Sequence, residues 1–194
     1  MTPDNGKFAS RAGRKLDAAL EGFGLDVRGA ICADLGCNVG GFTDCLLQRG
    51  AAKVYAVDTG YGDLAWKLRK DERVVVMERT NALHCEVPEP VDLVTIDVAW
   101  TPQERIVPAA MRWLKGGGRI VSLLKPHYEL AKLQGSKPIA KLSPDEAKHV
   151  CRTVCERISQ HGACVRAAAQ SVLTGKGGNM EFLLLVSTRA SEWE

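Results

Sequence analysis

Ala33-Asp34-Leu35-Gly36-Cys37-Asn38-Val39-Gly40-Gly41-Phe42 is the stretch on which the reading of this 194-residue chain turns. Ahead of it, Gly29-Ala30-Ile31-Cys32 is apolar and strand-like. Behind it, Thr43-Asp44-Cys45-Leu46-Leu47-Gln48-Arg49 has helical spacing and stops at Gly50. A buried strand that feeds a glycine turn and opens a helix is the mononucleotide-binding unit of an open α/β sheet. The expected tasks follow from residue type. Gly36 lets the chain reverse at the strand end, and Gly40 and Gly41 let backbone approach a ligand with no Cβ in the way. The helix N-terminus behind them offers free N–H groups to an anionic or carboxylate-bearing ligand.

Outward from this unit, the pattern repeats. Ser10 is expected to cap a helix through Leu20, with Leu16, Ala19 and Leu20 as its apolar stripe. Lys53–Asp58, Arg73–Met77, Val91–Asp97 and Arg119–Leu124 read as strands, with helices at Leu64–Lys70 and Pro102–Leu114. Gly116-Gly117-Gly118 reads as a turn, and a lysine-rich loop is expected from Lys125 to Ser143. Ser143-Pro144-Asp145-Glu146 starts a helix: hydroxyl at N-cap, proline at N1, acids in the first turn. Cys164–Ser171 and Met180–Ser187 then form an antiparallel hairpin across a glycine-rich tip. The expected fold is α/β, a Rossmann-like, doubly wound, mostly parallel sheet with a C-terminal antiparallel strand. One domain is expected over residues 1–194, with 1–9 as an N-terminal extension.

Composition narrows the class. Hydrophobic residues make up 45% and charged residues 25%, ordinary for a soluble globular protein. No apolar run approaches the ~20 residues of a membrane span. The start, Met1-Thr2-Pro3-Asp4-Asn5-Gly6-Lys7, lacks the apolar core of a secretory signal, so a cytoplasmic location is expected. The seven cysteines are an odd number without disulfide-scaffold density, and the four histidines are scattered, so free thiols and no metal are expected. The net charge of +3 is unevenly spread: Lys7, Arg11, Arg14 and Lys15 cluster near the start, and seven lysines and arginines lie between 115 and 148. Two basic faces of this kind are solvated surface or a footprint for nucleic acid.

In a doubly wound sheet, ligands collect at the carboxyl ends of the strands. The polar candidates fall there: Asp34, Gly36, Asp58, Asn81, Asp97 and Lys125. Asp58 follows Asp34 by 24 residues, near the ~20-residue offset at which an acid meets ribose hydroxyls. A dinucleotide or S-adenosylmethionine (SAM) would suit such acids. The turn favours the second, because its spacing is Asp-x-Gly-x-x-x-Gly-Gly and Asn38 stands where G-x-G-x-x-G needs its middle glycine.

At this point the residues resemble a known family, the FtsJ-like RNA ribose 2'-O-methyltransferases, in the hemolysin-A (TlyA-like) branch. The matching text is Ser10-Arg11-x-Gly13-x-Lys15-Leu16, Asp34-Leu35-Gly36 through Gln48, Val57-Asp58, Leu64–Arg69, Glu78–Asn81, Asp92–Asp97, Leu124-Lys125-Pro126 and Gly178–Leu184. It covers nearly all of residues 10–186. The resemblance implies SAM as cofactor, RNA, most readily ribosomal, as partner, and a Lys-Asp-Lys-Glu tetrad at Lys15, Asp97, Lys125 and Glu181. It further implies cofactor contacts from Gly36, Gly40, Gly41 and Phe42, with Asp58 at the ribose, Asn81 near the adenine and Asp97 near the methionine end. The branch's N-terminal RNA-binding module is expected to be missing, leaving RNA to the two basic segments or a partner. The loop after Lys125 also departs from the branch's Gly-Lys-Gly-Gly-Val-Val, reading Gly135-Ser136-Lys137-Pro138-Ile139-Ala140.

The chemistry suits these residue types. Methyl transfer from a sulfonium is an in-line displacement, so the protein must align the partners and take the proton of a ribose hydroxyl. Lys125 is expected to be the base, oriented by Asp97, with Lys15 and Glu181 setting the field and holding the ribose. Each residue alone has a plainer reading: Asp97 as the cap of the next helix, Lys125 and Lys15 as solvated lysines, Glu181 as an edge-strand charge. Trp100 is a candidate to stack on the target base. The competing activities are N-methyl transfer with the same cofactor, and a SAM- or RNA-binding adaptor without turnover.

Overall fold

A computed structural model describes residues 6–99, 101–137 and 141–188. In chain order these form α1 (Ala12–Gly22), β1 (Ile31–Leu35), α2 (Gly41–Gln48), β2 (Lys53–Val57), α3 (Trp66–Arg69), β3 (Val74–Met77) and β4 (Val91–Ile96). Then come α4 (Gln103–Met111), β5 (Leu114–Leu124), α5 (Pro126–Gln134), α6 (Pro144–Gln160), β6 (Ala163–Gln170) and β7 (Phe182–Thr188). The seven strands make one sheet in the order β3-β2-β1-β4-β5-β7-β6. The first five run parallel, while β7 is antiparallel to both β5 and β6. The expected doubly wound architecture is therefore present, and its order reverses between β1 and β4, where such sheets open a crevice.

Alternation along β1 shows how one strand feeds two cores. Ala33 and Leu35 join Tyr55, Val94, Ile106, Trp113, Val150 and Ile158 beneath α4 and α6. Cys32 points the other way, into a second core with Leu16, Leu20, Phe42, Leu46 and Val121 beneath α1 and α2. Two apolar layers over one sheet remove both faces from water, which is what a mostly parallel sheet requires.

Three local expectations are corrected. Ser10 is not the N-cap of α1; that position is Arg11, and Ser10 Oγ instead accepts the Ala12 N–H at 3.3 Å. Gly116-Gly117-Gly118 is no free turn but lies within β5, where the register jumps so that Val91 faces Leu114 and Leu93 faces Arg119. The loop after Lys125 contains a nine-residue helix, α5, with Pro126 at its first turn and Gly135 in left-handed backbone (φ 61°) at its C-cap. Residues 7–9, within the expected N-terminal extension, pack against the domain. Phe8 is buried, the Ala9 N–H donates to Asp44 Oδ2 at 2.6 Å, and Gln48 Nε2 donates to the Lys7 carbonyl at 2.7 Å. By contrast, α6 begins with the expected cap, and Ser143 and Glu146 form a reciprocal capping box.

Among the described residues, no helix is long and apolar enough to cross a membrane.

Candidate active site

The glycine turn is shaped mainly by its own protein. Gly36 has φ 87°, and a Cβ there would lie 2.8 Å from the Asp97 carbonyl oxygen, so glycine is what allows the ends of β1 and β4 to meet. Gly36 and Cys37 both donate to the Val57 carbonyl, at 2.8 and 3.1 Å. Asn38, itself at φ 47°, gives its N–H to Asp58 Oδ2 at 2.8 Å, and Gly60 donates to the other Asp58 oxygen at 2.8 Å. Asp58 thus ties the turn after β1 to the end of β2.

Gly40 and Gly41 also make room for neighbouring helices. A Cβ on Gly40 would lie 2.3 Å from Leu68 Cδ1, and one on Gly41 would lie 2.2 Å from Ser10 Oγ. These glycines let α3 and α1 close onto α2. Gly41 and Phe42 still line the cavity described below, while Gly40 lines neither cavity. Asp34 is likewise placed beneath the site. Its carboxyl is fully buried, accepts from Thr43 Oγ1 at 2.7 Å and Thr95 Oγ1 at 3.0 Å, and is pushed up to about 7 by burial.

The four tetrad residues come from four places in the chain and line one cavity of about 470 Å³. Lys15 rises from α1, Asp97 follows β4, Lys125 is the N-cap of α5 directly after β5, and Glu181 precedes β7. Lys15 and Glu181 are ion-paired and hydrogen-bonded, both almost wholly buried. Lys125 Nζ reaches Asp97 Oδ1 at 2.5 Å as an ion pair and donates to the Val98 carbonyl at 3.4 Å. Asp97 Oδ1 is itself buried, with Lys125 Nζ beside it. The plain alternatives for single residues do not describe this arrangement. Lys15 is inside, α4 is preceded by Pro102 rather than Asp97, and β7 sits between two strands rather than at the sheet edge.

A second cavity, of about 330 Å³, adjoins the first, and Gly36, Asn38, Asp97 and Ala99 line both. Asp58 and Asn81 lie in this second cavity. Asn81 Oδ1 accepts the Leu83 N–H at 3.0 Å, which fixes the loop after β3. Asp58, Asn81 and Asp97 therefore stand along one continuous groove across the switch point. Trp100 lies outside the described residues.

Several lining residues were not named as site residues from the sequence: Ser10, Arg11, Asn38, Val39, Ala99, His127 and Tyr128. His127 and Tyr128 were hidden by the missed helix. The available signal was Pro126 directly after a strand ending in Lys125, which marks a helix start at the strand's carboxyl end. His127 is 7% exposed, and burial, reinforced by the Lys125 charge, lowers its pKa. Cys37 also lines the cavity, but burial raises its thiol and disfavours the reactive thiolate. Among the described residues, no group of three or more His, Cys, Asp or Glu is placed to hold a metal.

With this geometry in view, comparison with known proteins decides the family. Residues 8–187 match the family described as FtsJ-like methyltransferase. The chain belongs to that family. Within it, the chain is 39% identical over 185 residues to YqxC from Bacillus subtilis (strain 168), covering 92% of this chain and 65% of that relative. It is 38% identical over 193 residues to the 16S/23S rRNA (cytidine-2'-O)-methyltransferase TlyA of Mycobacterium tuberculosis, covering 97% of this chain and 72% of the relative. A solved structure from Streptococcus thermophilus, described under a hemolysin name, superposes with a TM-score of 0.89 at 35% identity, covering 97% of this chain and 70% of that one. The FtsJ-like chain thus spans about two thirds to three quarters of the lengths of these relatives.

Proposed function

We propose that this FtsJ-like protein transfers a methyl group from SAM to a ribose 2'-hydroxyl of RNA, most readily ribosomal RNA, working in the cytoplasm. The observation that carries the reading is the meeting of Lys15, Asp97, Lys125 and Glu181 around one cavity that opens into the Asp58–Asn81 groove. The relative from M. tuberculosis named as a cytidine-2'-O-methyltransferase supports it.

The groove suits the cofactor. A carboxylate at Asp58 matches ribose hydroxyls, an amide at Asn81 matches a purine edge, and the Asp97 carboxylate, which lines both cavities, matches a cation at their junction. When bound, SAM supplies an electrophilic methyl on a sulfonium. The residues do the rest. The Lys15–Glu181 pair forms a rigid floor, because two buried, mutually bonded side chains have little freedom left. Asp97 and the Val98 carbonyl hold Lys125 Nζ at the mouth of that floor. To act as base, Lys125 first gives the proton of its ion-paired ammonium to solvent; the ribose hydroxyl proton then passes to the freed amine as the oxygen gains its methyl, and alignment contributes most of the acceleration.

Methyl transfer from labelled SAM to total RNA, with digestion to nucleosides and mass spectrometry, tests this. The expected product is a 2'-O-methylated nucleoside, lost in Lys125→Ala. Equal counts for wild type and Lys125→Ala, or label on a base, overturn it.

A further inference from the structure

We infer that Gly175 is a positioning residue of the tetrad: by carrying no side chain, it leaves the room in which the Glu181 carboxylate stays paired with Lys15. The kinetic part of this inference rests on the proposed RNA ribose methyl transfer; the contact itself does not.

The turn between β6 and β7 holds glycine at 175, 177 and 178. Gly177 and Gly178 have φ 69° and 75°, left-handed backbone that favours glycine. Gly175 has φ −72° and ψ −171°, an extended conformation open to any L residue. Backbone freedom therefore does not explain the glycine at 175, and space does. A Cβ there would fall onto Glu181 Oε1 and lie 2.8 Å from Glu181 Cδ.

On an exposed surface a glutamate would swing its end away from such a methyl at little cost. Three restraints oppose that here. The Glu181 side chain is 4% exposed, and its other oxygen, Oε2, is paired with the equally buried Lys15 Nζ, so a carboxylate that turns away leaves a desolvated cation behind. The Glu181 backbone is held too. Its carbonyl accepts the Ser171 N–H at 2.8 Å, and Phe182 beside it is in register with Leu124 on one side and Gln170 on the other. The turn cannot retreat either. The Gly175 N–H donates to the Asn179 carbonyl at 2.8 Å, the Gly175 carbonyl accepts the Gly178 N–H at 3.2 Å, and the buried Asn179 takes the Leu142 N–H on its Oδ1 at 3.3 Å. A side chain at 175 is thus accommodated by turning the carboxylate off Lys15. Glu181 and Lys15 line the cavity together with Asp97 and Lys125, so the displacement reaches the reacting centre. Gly175 itself lines neither cavity and acts through Glu181.

The test places Gly175→Ala in the full wild-type chain and in a Lys15→Met/Glu181→Ala background, which removes the contacted carboxylate and its partner charge together. Thermal unfolding reads the contact without reference to activity. Gly175→Ala is expected to lower the wild-type midpoint by roughly 2–12 °C, as for an overpacked buried site, and to leave the background's midpoint unchanged. Kinetics with SAM and total RNA from cells that lack the protein read the consequence. In Gly175→Ala, kcat falls about a hundredfold, as for a reacting group misplaced by about 1 Å, while SAM affinity by calorimetry stays within about twofold of wild type. Gly178→Ala is the control for damage to the turn: it strains the same backbone, but its Cβ meets nothing closer than Lys141 Nζ at 3.6 Å, and it is expected to lose stability and retain kcat. Four outcomes overturn the inference: wild-type kcat in Gly175→Ala, the same midpoint loss in both backgrounds, SAM affinity falling in step with kcat, or an equal loss of kcat in Gly178→Ala. A Gly175→Ala chain that fails to fold supports it if the same change folds in the background, and overturns it if that fails too. Wild type that does not methylate ribose sinks the broader reading and leaves the midpoint comparison to decide this one.

Discussion

Replacing Glu181 by leucine isolates what the buried pair contributes. The side chains of Lys15 and Glu181 are 6% and 4% exposed, so neither charge can turn to water when its partner is removed. Breaking a buried pair from one side costs about 3–5 kcal/mol, because the remaining charge stays desolvated. For a domain of this size each kcal/mol moves the midpoint by about 2–4 °C, so Glu181→Leu is expected to lower it by roughly 6–20 °C. Lys15→Met falls in the same direction. The double variant Lys15→Met/Glu181→Leu removes both charges at similar volume and is expected to recover wild-type stability or exceed it by about 1–4 kcal/mol. Urea unfolding followed by tryptophan fluorescence measures this, since Trp113 is fully buried 6.2 Å from Tyr55. All three variants lose methyl transfer, which separates the pair's chemical part from its structural one. Single substitutions within about 0.5 kcal/mol of wild type, the range of ordinary surface changes, would refute the reasoning.

Three further outcomes are expected. Burial pushes the Glu129 carboxyl up to about 7 against the pull of the Gln103 N–H, so between pH about 4.5 and 7 the native state holds a proton that the unfolded chain releases. Stability therefore falls as pH rises through that window, Asp34 adding in the same direction, and Glu129→Gln flattens the fall and gains about 1–3 kcal/mol at pH 8 in urea titrations. Gly41→Ala drives a methyl into Ser10 and Ala12, and is expected to cost about 1–3 kcal/mol and to reduce turnover by shifting α1, which carries Lys15. Ser143→Ala removes the capping box of α6 and is expected to cost about 1 kcal/mol in thermal unfolding while leaving methyl transfer unchanged.

Sequence alone was enough for whatever is decided within a few neighbouring residues. The Asp34–Gly41 turn, the apolar strands around it and the Ser143 cap are local, because they depend on strand period, on φ at single glycines and on one hydroxyl reaching one N–H. The helix α5 escaped because its lysines and short length read as loop; burial of His127 and Glu129, with Glu129 bonded to the Gln103 N–H of α4, gives it a reason to exist. A packing task for Gly40 and Gly41 was also out of reach, since only the packed neighbours show that Leu68 and Ser10 occupy the space a side chain would need. Lys15 and Glu181 lie 166 residues apart, and no periodicity relates them. They meet because β7 inserts antiparallel between β5 and β6 and brings its first end to the carboxyl ends of the parallel strands. The pairing is an outcome of strand order, which long-range packing selects, and from it come the buried charges and the shape of the cavity they line.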